Sequence, residues 1–146
     1  MDYRVGRINR VFFVRFDDGE DLRTCVEELA HREKIEQGLV LVTGAMKKVE
    51  LVVGPKETAI PPEPVWSGFE DSREILGVGT LVQDPEGMSL HLHLAAGRGD
   101  EPVKVGCLRG ENQVYLVAEV VILEINGLEA ARIPDEASGL TLLSFR

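Results

Sequence analysis

Two kinds of hydrophobic spacing divide the chain. Between residues 22 and 30, apolar side chains recur at three- and four-residue intervals, which is the spacing of an amphipathic helix. Asp21 precedes this stretch at the N-cap position, and Gly38 follows it where a C-cap glycine is expected. The pattern therefore predicts one principal helix over residues 21–36.

The rest of the chain carries alternating apolar and polar side chains or short β-branched runs, both typical of strands. The predicted strands are residues 11–14, 39–42, 49–53, 75–82, 88–95, 103–108, 114–125 and 140–145. The second and third of these flank Gly44 as one bent strand or two short ones. One helix among many antiparallel strands predicts an α+β fold, and a length of 146 residues predicts a single domain, residues 1–146.

Composition and charge exclude several classes of protein. The chain has 16 basic and 25 acidic residues, which gives a net charge of −9. Because binding to phosphate depends on Lys and Arg, we expect neither direct DNA binding by the isolated chain nor docking on an anionic membrane. Two cysteines are too few for a disulfide scaffold, and no apolar run approaches the ~20 residues of a membrane span. These features predict a soluble, cytoplasmic protein.

The segment Leu-His-Leu-His-Leu at residues 90–94 has the most informative chemistry in the sequence. Side chains alternate between the two faces of a strand, so the leucines point one way and both His91 and His93 the other. Two residues along a strand span about 6.6 Å. From that separation, two imidazoles can converge on one ion at about 2.0–2.1 Å from each nitrogen. The same histidines can equally be polar side chains on a solvated face.

Cys107 is the third candidate donor, 14 residues after His93 (107 − 93) and across a predicted turn. An odd-numbered loop centred on Asp100 would pair the two residues and bring all three donors to one face. A slip of one residue would instead turn Cys107 to the leucine side, where it would be a small buried hydrophobe. In the first case the set suits zinc or a similar divalent transition metal, and a fourth position stays open.

Three charged residues and one aromatic residue extend the candidate site. Glu119 is the only charge in the apolar run 117–123. It is a candidate general base or an acceptor for a metal-bound histidine, and the alternatives are an ion pair with an arginine or exposure on an outer face. Arg109 and Arg73 are candidates for binding an anionic ligand. Trp66 is a candidate binding platform or subunit contact.

Several motifs follow one another in a distinctive order: the predicted helix, Val42-Thr43-Gly44-Ala45, Arg73-Glu74-Ile75-Leu76, the His-x-His strand and Ala118-Glu119-Val120-Val121. In this order they resemble the plants-and-prokaryotes-conserved (PPC) domain family, over residues 7–145. The resemblance implies an antiparallel sheet domain that assembles as a homotrimer. Prokaryotic members often have a third histidine after paired glycines, and Cys107 stands at that position here. Plant members carry AT-hooks that bind DNA, but this chain lacks the Arg-Gly-Arg-Pro core.

From these observations we predict a homotrimeric, metal-binding PPC-like protein that acts as a ligand-binding or protein-interaction module in regulation. One alternative is a metal-dependent enzyme, most simply a hydrolase that uses metal-bound water with Glu119 as base. A second alternative keeps the DNA-binding role of the family by analogy, as an assembly platform that acts through a protein partner.

Overall fold

Eight strands and one helix form in the computed structural model, which describes residues 1–146. The elements in chain order are β1 (Arg7–Asp17), α1 (Leu22–Glu33), β2 (Gln37–Pro55), β3 (Pro64–Phe69), β4 (Arg73–Asp84), β5 (Gly87–Gly97), β6 (Lys104–Asn126), β7 (Ala130–Asp135) and β8 (Leu140–Phe145). All strand pairs are antiparallel except β4 with β7, which are parallel. The fold is α+β, a mainly antiparallel sheet with one helix, as the hydrophobic pattern predicts.

Four of the strands close the sheet on itself. β2 pairs with β6 along one edge and with β4 along the other, and β5 joins β4 to β6. The other strands extend this closed sheet: β1 from β6, β3 from β2, and β7 followed by β8 from β4. Because successive side chains of a strand point to opposite faces, each of the four closing strands has one row inside the closed sheet and one row outside it.

Aliphatic side chains from the inner rows form the core, and α1 packs against β5 and β6. The helix contributes Leu22, Val26 and Ala30, which are fully buried. Asp21 begins the helix as its N-cap, since its carboxylate accepts a hydrogen bond of 2.8 Å from the Thr24 N–H. With 12 residues, α1 is too short and too polar to cross a membrane.

Gly44 allows β2 to remain one strand while it changes neighbours. The first part of β2 lies beside β4, whereas the part after the bend lies beside β3. Gly44 has a φ of +126°, and a Cβ at this position would lie 2.5 Å from the carbonyl oxygen of Val117 on β6. Glycine therefore meets both needs at the bend, the unusual φ and the close approach of β6.

Three sequence-based expectations differ from the structure. The helix ends at Glu33 because Lys34 adopts the left-handed conformation, with φ 55°, so the prediction that Gly38 is the C-cap is wrong. Gly38 instead belongs to β2. The two strands predicted over residues 103–108 and 114–125 are parts of one long strand, β6. Strands β3 and β7 were not predicted, since proline and glycine interrupt their short sequences.

Candidate metal centre

Strand β5 places His91 and His93 side by side on its outer face. Leu90, Leu92 and Leu94 are buried on the opposite face, with at most 2% of their surface exposed. The two imidazole rings are nearly parallel, with 4° between their planes and 5.0 Å between their centroids. Their Nε2 atoms lie 3.0 Å apart. The strand period therefore puts two ring nitrogens at one point, as predicted.

Cys107 reaches the same point from β6. The register pairs His93 with Cys107 and Ala96 with Lys104, which is the register of the odd-numbered loop. The Cys107 Sγ lies 3.6 Å from the His91 Nε2, and the side chain is buried. Gly106 makes this placement possible, because a Cβ there would lie 2.6 Å from the Val52 carbonyl oxygen. Gly106 therefore permits close packing of β6 on β2.

The spacing of the three donors suits one transition metal ion. The two ring nitrogens and the sulfur all lie within 4.8 Å of one another. With metal–nitrogen and metal–sulfur lengths of about 2.05 and 2.3 Å, tetrahedral angles would separate two nitrogens by about 3.3 Å and a nitrogen from the sulfur by about 3.6 Å. The observed separations are 3.0 and 3.6 Å. Two imidazoles and one thiol are also donors that zinc and related ions accept.

Burial and nearby arginines set the protonation of the donors. Burial, with smaller contributions from Arg132, His93 and Arg109, lowers the pKa of His91 to about 4. His91 is therefore neutral at neutral pH, which is the form that binds a metal ion. Burial raises the pKa of the Cys107 thiol, and Arg109 and Arg132 oppose this rise. Binding of a metal ion by the thiolate would release the thiol proton.

Two cavities open beside the donors. The larger, of about 530 Å³, is bordered by His93, Cys107 and Arg109, and its other walls are mainly apolar and include Trp66. The smaller, of about 310 Å³, is bordered by His91 and by three arginines: Arg23, Arg109 and Arg132. The structure thus places Arg109 next to the candidate centre, and the exposed Trp66 on the wall of the larger cavity.

Glu119 does not come near the histidines in this chain. It is exposed on β6, and its neighbours in the register are Arg15 on β1 and Thr43 on β2. From Thr43 the register leads to Leu76 on β4, and from Leu76 to Ala95 on β5. Three strand spacings of about 4.8 Å each therefore separate Glu119 from β5 along the sheet. Within the single chain, the structure fits the alternative of exposure on an outer face, and a part for Glu119 as base or as histidine acceptor stays a prediction.

Arg73 is buried in an ion-pair network, and its role in ligand binding stays a prediction. The side chain is only 7% exposed and donates hydrogen bonds of 2.8 Å to Asp71 and 2.6 Å to Glu101. Its guanidinium also lies 5.1 Å from the centre of the Phe69 ring. These contacts engage the Nε and Nη2 atoms of the guanidinium and hold the side chain in the protein.

Sequence reasoning missed Arg132, which reaches the centre from β7. Its Nη2 donates a hydrogen bond of 2.8 Å to the Thr80 hydroxyl on β4, and Thr80 is the register neighbour of His91. The turn dipeptide at residues 126–127 signals that the chain reverses there. After that turn, apolar and polar side chains alternate at Ala131, Arg132 and Ile133. This alternation predicts a strand with Arg132 on one face and the two apolar residues on the other.

The sequence matches a known protein family, and the fold matches those of solved structures. A family model described as the Plants and Prokaryotes Conserved (PCC) domain matches residues 3–126. The crystal structure of a metal-containing protein from Archaeoglobus fulgidus is similar with a TM-score of 0.86 and 24% identity, over 99% of both chains. A plant- and prokaryote-conserved (PPC) protein from Pyrococcus horikoshii is similar with a TM-score of 0.85 and 23% identity, over 99% of this chain and 97% of the other. At these identities the likeness shows the shared fold.

A curated relative is longer than this chain. Bifunctional protein GlmU from Synechococcus sp. (strain JA-2-3B'a(2-13)) is 28% identical over 135 residues, which are 89% of this chain. The chain spans about a fifth, 19%, of the length of that protein. The match therefore concerns one part of the longer protein.

Proposed function

Since the chain belongs to the Plants and Prokaryotes Conserved domain family, we propose that it is a metal-binding module with a ligand-binding or protein-interaction role. His91, His93 and Cys107 hold one ion per chain, zinc or a similar divalent transition metal. The observation that carries this proposal is the convergence of three donor atoms from two strands within 4.8 Å. The relative from Archaeoglobus fulgidus, described as metal-containing, agrees with it.

The protein residues have distinct parts in such a centre. His91 supplies a nitrogen that is neutral at neutral pH, because burial lowers its pKa to about 4. Cys107 supplies a thiolate once its proton is lost, and His93 supplies an exposed nitrogen at the outer side. Three protein donors leave one position free, so a bound ion would act there as a Lewis acid toward a ligand.

Metal analysis of the untagged protein tests the proposal. We expect about one equivalent of a transition metal per chain in the parent protein, and loss of that metal in His93→Ala. His31→Ala is the matched control, since His31 is exposed on α1 and lies outside the cluster. Equal metal content in the parent and His93→Ala would overturn the proposal.

A cobalt-substituted sample tests the part of Cys107 separately. Thiolate bound to Co²⁺ gives a sulfur-to-metal charge-transfer absorption that imidazole ligands do not give. We expect this band in the parent protein and in Cys25→Ser, and its absence in Cys107→Ser. A band that persists in Cys107→Ser would exclude this cysteine as a ligand, while the histidines remain tested by the metal content.

We propose in addition that the protein is a homotrimer whose copies meet near the metal centre. An outward-facing row runs across the sheet from Phe13 through Val121, Leu41 and Val78 to His93. Its members Phe13 and Val78 are 76% and 53% exposed in the single chain. Exposed apolar side chains in one continuous row are typical of surfaces that pack against another chain.

Light scattering after size exclusion tests the trimer. We expect a mass near three times 16.1 kDa, and a smaller species for Val78→Asp, because a charge would be buried in the contact. A parent protein that elutes as a monomer would contradict this part of the proposal and leave the metal site untouched.

Direct DNA binding is not included in the proposal. The net charge of −9 opposes the binding of phosphate. We therefore expect no gel shift of duplex DNA by the isolated chain at ~0.15 M salt. A shift under that condition would show that a local basic surface outweighs the overall charge.

A further inference from the structure

The two cavities beside the metal centre are neighbours. Arg109 and Leu140 border both of them, so the cavities lie on either side of these two side chains. The larger cavity has apolar walls that include the exposed side chains of Val105 and Trp66. Its volume of about 530 Å³ lies within the range of roughly 300–1,000 Å³ that is usual for small-molecule sites.

Two arginines at this point have no acidic partner. Arg109 makes one hydrogen bond, of 3.2 Å, to the carbonyl oxygen of Leu108. Arg132 donates to the Thr80 hydroxyl, and its buried Nε has no hydrogen-bond partner. In a chain with 25 acidic and 16 basic residues, unpaired arginines that border one cavity are unexpected. Buried polar groups normally have a hydrogen-bond partner. The Nε of Arg132 therefore points to an acceptor that this chain does not supply.

The other charges around the smaller cavity do not neutralise this pair. Arg23 adds a third guanidinium, but it is bound to Glu27 at 3.0 Å. Asp84 is the one acidic residue on the cavity wall, and its Oδ1 accepts hydrogen bonds from the backbone N–H groups of residues 86 and 87. Counting Arg23, Arg109 and Arg132 against Glu27 and Asp84, the site has a net charge of +1 (3 − 2).

A bound metal ion would increase this excess. A divalent ion held by one thiolate and two neutral imidazoles has a net charge of +1, which would raise the total charge of the site from +1 to +2. A cationic site is stabilised by an anion, and the planar guanidinium group suits the two oxygens of a carboxylate or phosphate.

We infer that the two cavities form one site for a small organic oxyanion. Its carboxylate or phosphate group binds to Arg109 and Arg132, and its apolar, aromatic body lies against Trp66 in the larger cavity. This inference rests on the proposed function, because it names the class of ligand for the same site. Part of the site comes from the β7–β8 hairpin, which lies beyond residue 126, where the match to the family model ends.

Titration with simple aromatic probes tests the inference on the full chain. Phenylacetate and phenyl phosphate are the two oxyanions, and phenylacetamide is the neutral counterpart of the first. Trp66 is the only tryptophan, so its fluorescence reports occupancy of the larger cavity. We expect at least one oxyanion to bind and the amide not to bind, with affinity that falls as salt is added. Which oxyanion binds more tightly distinguishes a carboxylate ligand from a phosphate ligand.

Variants identify the residues that bind the probe. Arg109→Gln should weaken binding by about tenfold or more, as loss of a charge-assisted hydrogen bond does. Arg132→Lys keeps the charge but loses the planar fork, so it should weaken binding less, and it remains informative if removal of the charge impairs folding. Arg15→Gln is the matched control, since Arg15 is exposed on β1 and paired with Asp17. Equal binding by the parent and Arg109→Gln, or equal binding of acid and amide, would overturn the inference.

Parallel titrations with zinc-loaded and EDTA-treated protein separate this inference from the proposed function. A protein that binds zinc but neither oxyanion would overturn the oxyanion site and leave the metal centre intact. A protein that binds an oxyanion through Arg109 but holds no metal would support the oxyanion site and overturn the metal centre.

Discussion

The substitution Gly106→Ala should force β6 away from β2 beside the metal centre. A Cβ on Gly106 would lie 2.6 Å from the Val52 carbonyl oxygen and 3.1 Å from the carbonyl carbon. Ordinary contacts of a Cβ begin at 3.4 Å, so the strands must separate locally by about 0.8 Å (3.4 − 2.6). The atoms in the way belong to paired backbone and cannot rotate aside. Overpacking of this kind costs about 1–3 kcal/mol.

Gly97→Ala is the matched control for this prediction. Gly97 is also in the β5–β6 hairpin, but the nearest atom to its Cβ would be a Val103 methyl carbon at an ordinary 3.6 Å. Both variants gain the same stability of about 0.4–1 kcal/mol through a less flexible unfolded chain. The difference between them therefore isolates the close contact, and we expect Gly106→Ala to unfold about 3–12 °C lower than Gly97→Ala.

Differential scanning calorimetry of the two metal-free variants measures this difference. Because Cys107 directly follows Gly106, the displaced strand should also retain less zinc than the control. Indistinguishable Tm values would refute the reasoning, since they would mean that β2 and β6 adjust to the added methyl group without cost. If Gly106→Ala retained less zinc at an unchanged Tm, the stability argument would still be refuted. The methyl group would then have moved Cys107 without destabilising the sheet.

Three further substitutions test other parts of the description. Leu92→Ala empties a fully buried position and should lower the unfolding free energy in urea by about 2–5 kcal/mol; a loss typical of surface positions would contradict the packing. Arg10 donates a hydrogen bond of 2.7 Å to Glu124 and lowers the pKa of that carboxyl. The ionised Glu124 therefore stabilises the fold at pH values above its pKa in the unfolded chain. This stabilisation is lost as the pH falls through the lower pKa that Glu124 has in the folded protein. Glu124→Gln should therefore flatten the loss of stability in acid, measured by urea unfolding from neutral pH downward, and an unchanged slope would count against the pair. Arg73→Gln should lower the Tm, because Asp71 and Glu101 lose their partner, yet leave the zinc content unchanged; metal loss would connect Arg73 to the centre.

The elements that depend on local pattern were predictable from the sequence. The N-terminus of α1 follows from Asp21 and the apolar spacing after it. The shared face of His91 and His93 follows from the strand period alone, because the three leucines that alternate with them fix which side faces the core. These inferences need no knowledge of which strands become neighbours.

The features that depend on strand register and on distant segments were not predictable. One residue of slip would have turned Cys107 inward, and no local signal excludes that slip. Glu119 follows the alternation of its strand, but its distance from His91 depends on which strands lie between them. Arg132 comes from a strand that includes a proline, and its role arises only when β7 pairs with β4. Tertiary pairing rather than local propensity decides these positions.

The central place of β6 determines when the domain can assemble during synthesis. β1 pairs with β6 alone, and residue 117, the first of its partners, is made 100 residues after residue 17 (117 − 17). At a translation rate of about 5–20 residues per second, the N-terminal strand waits roughly 5–20 s without a partner. During that interval its phenylalanines are open to other nascent chains. The topology therefore makes the pairing of β1 one of the late steps in the assembly of the domain.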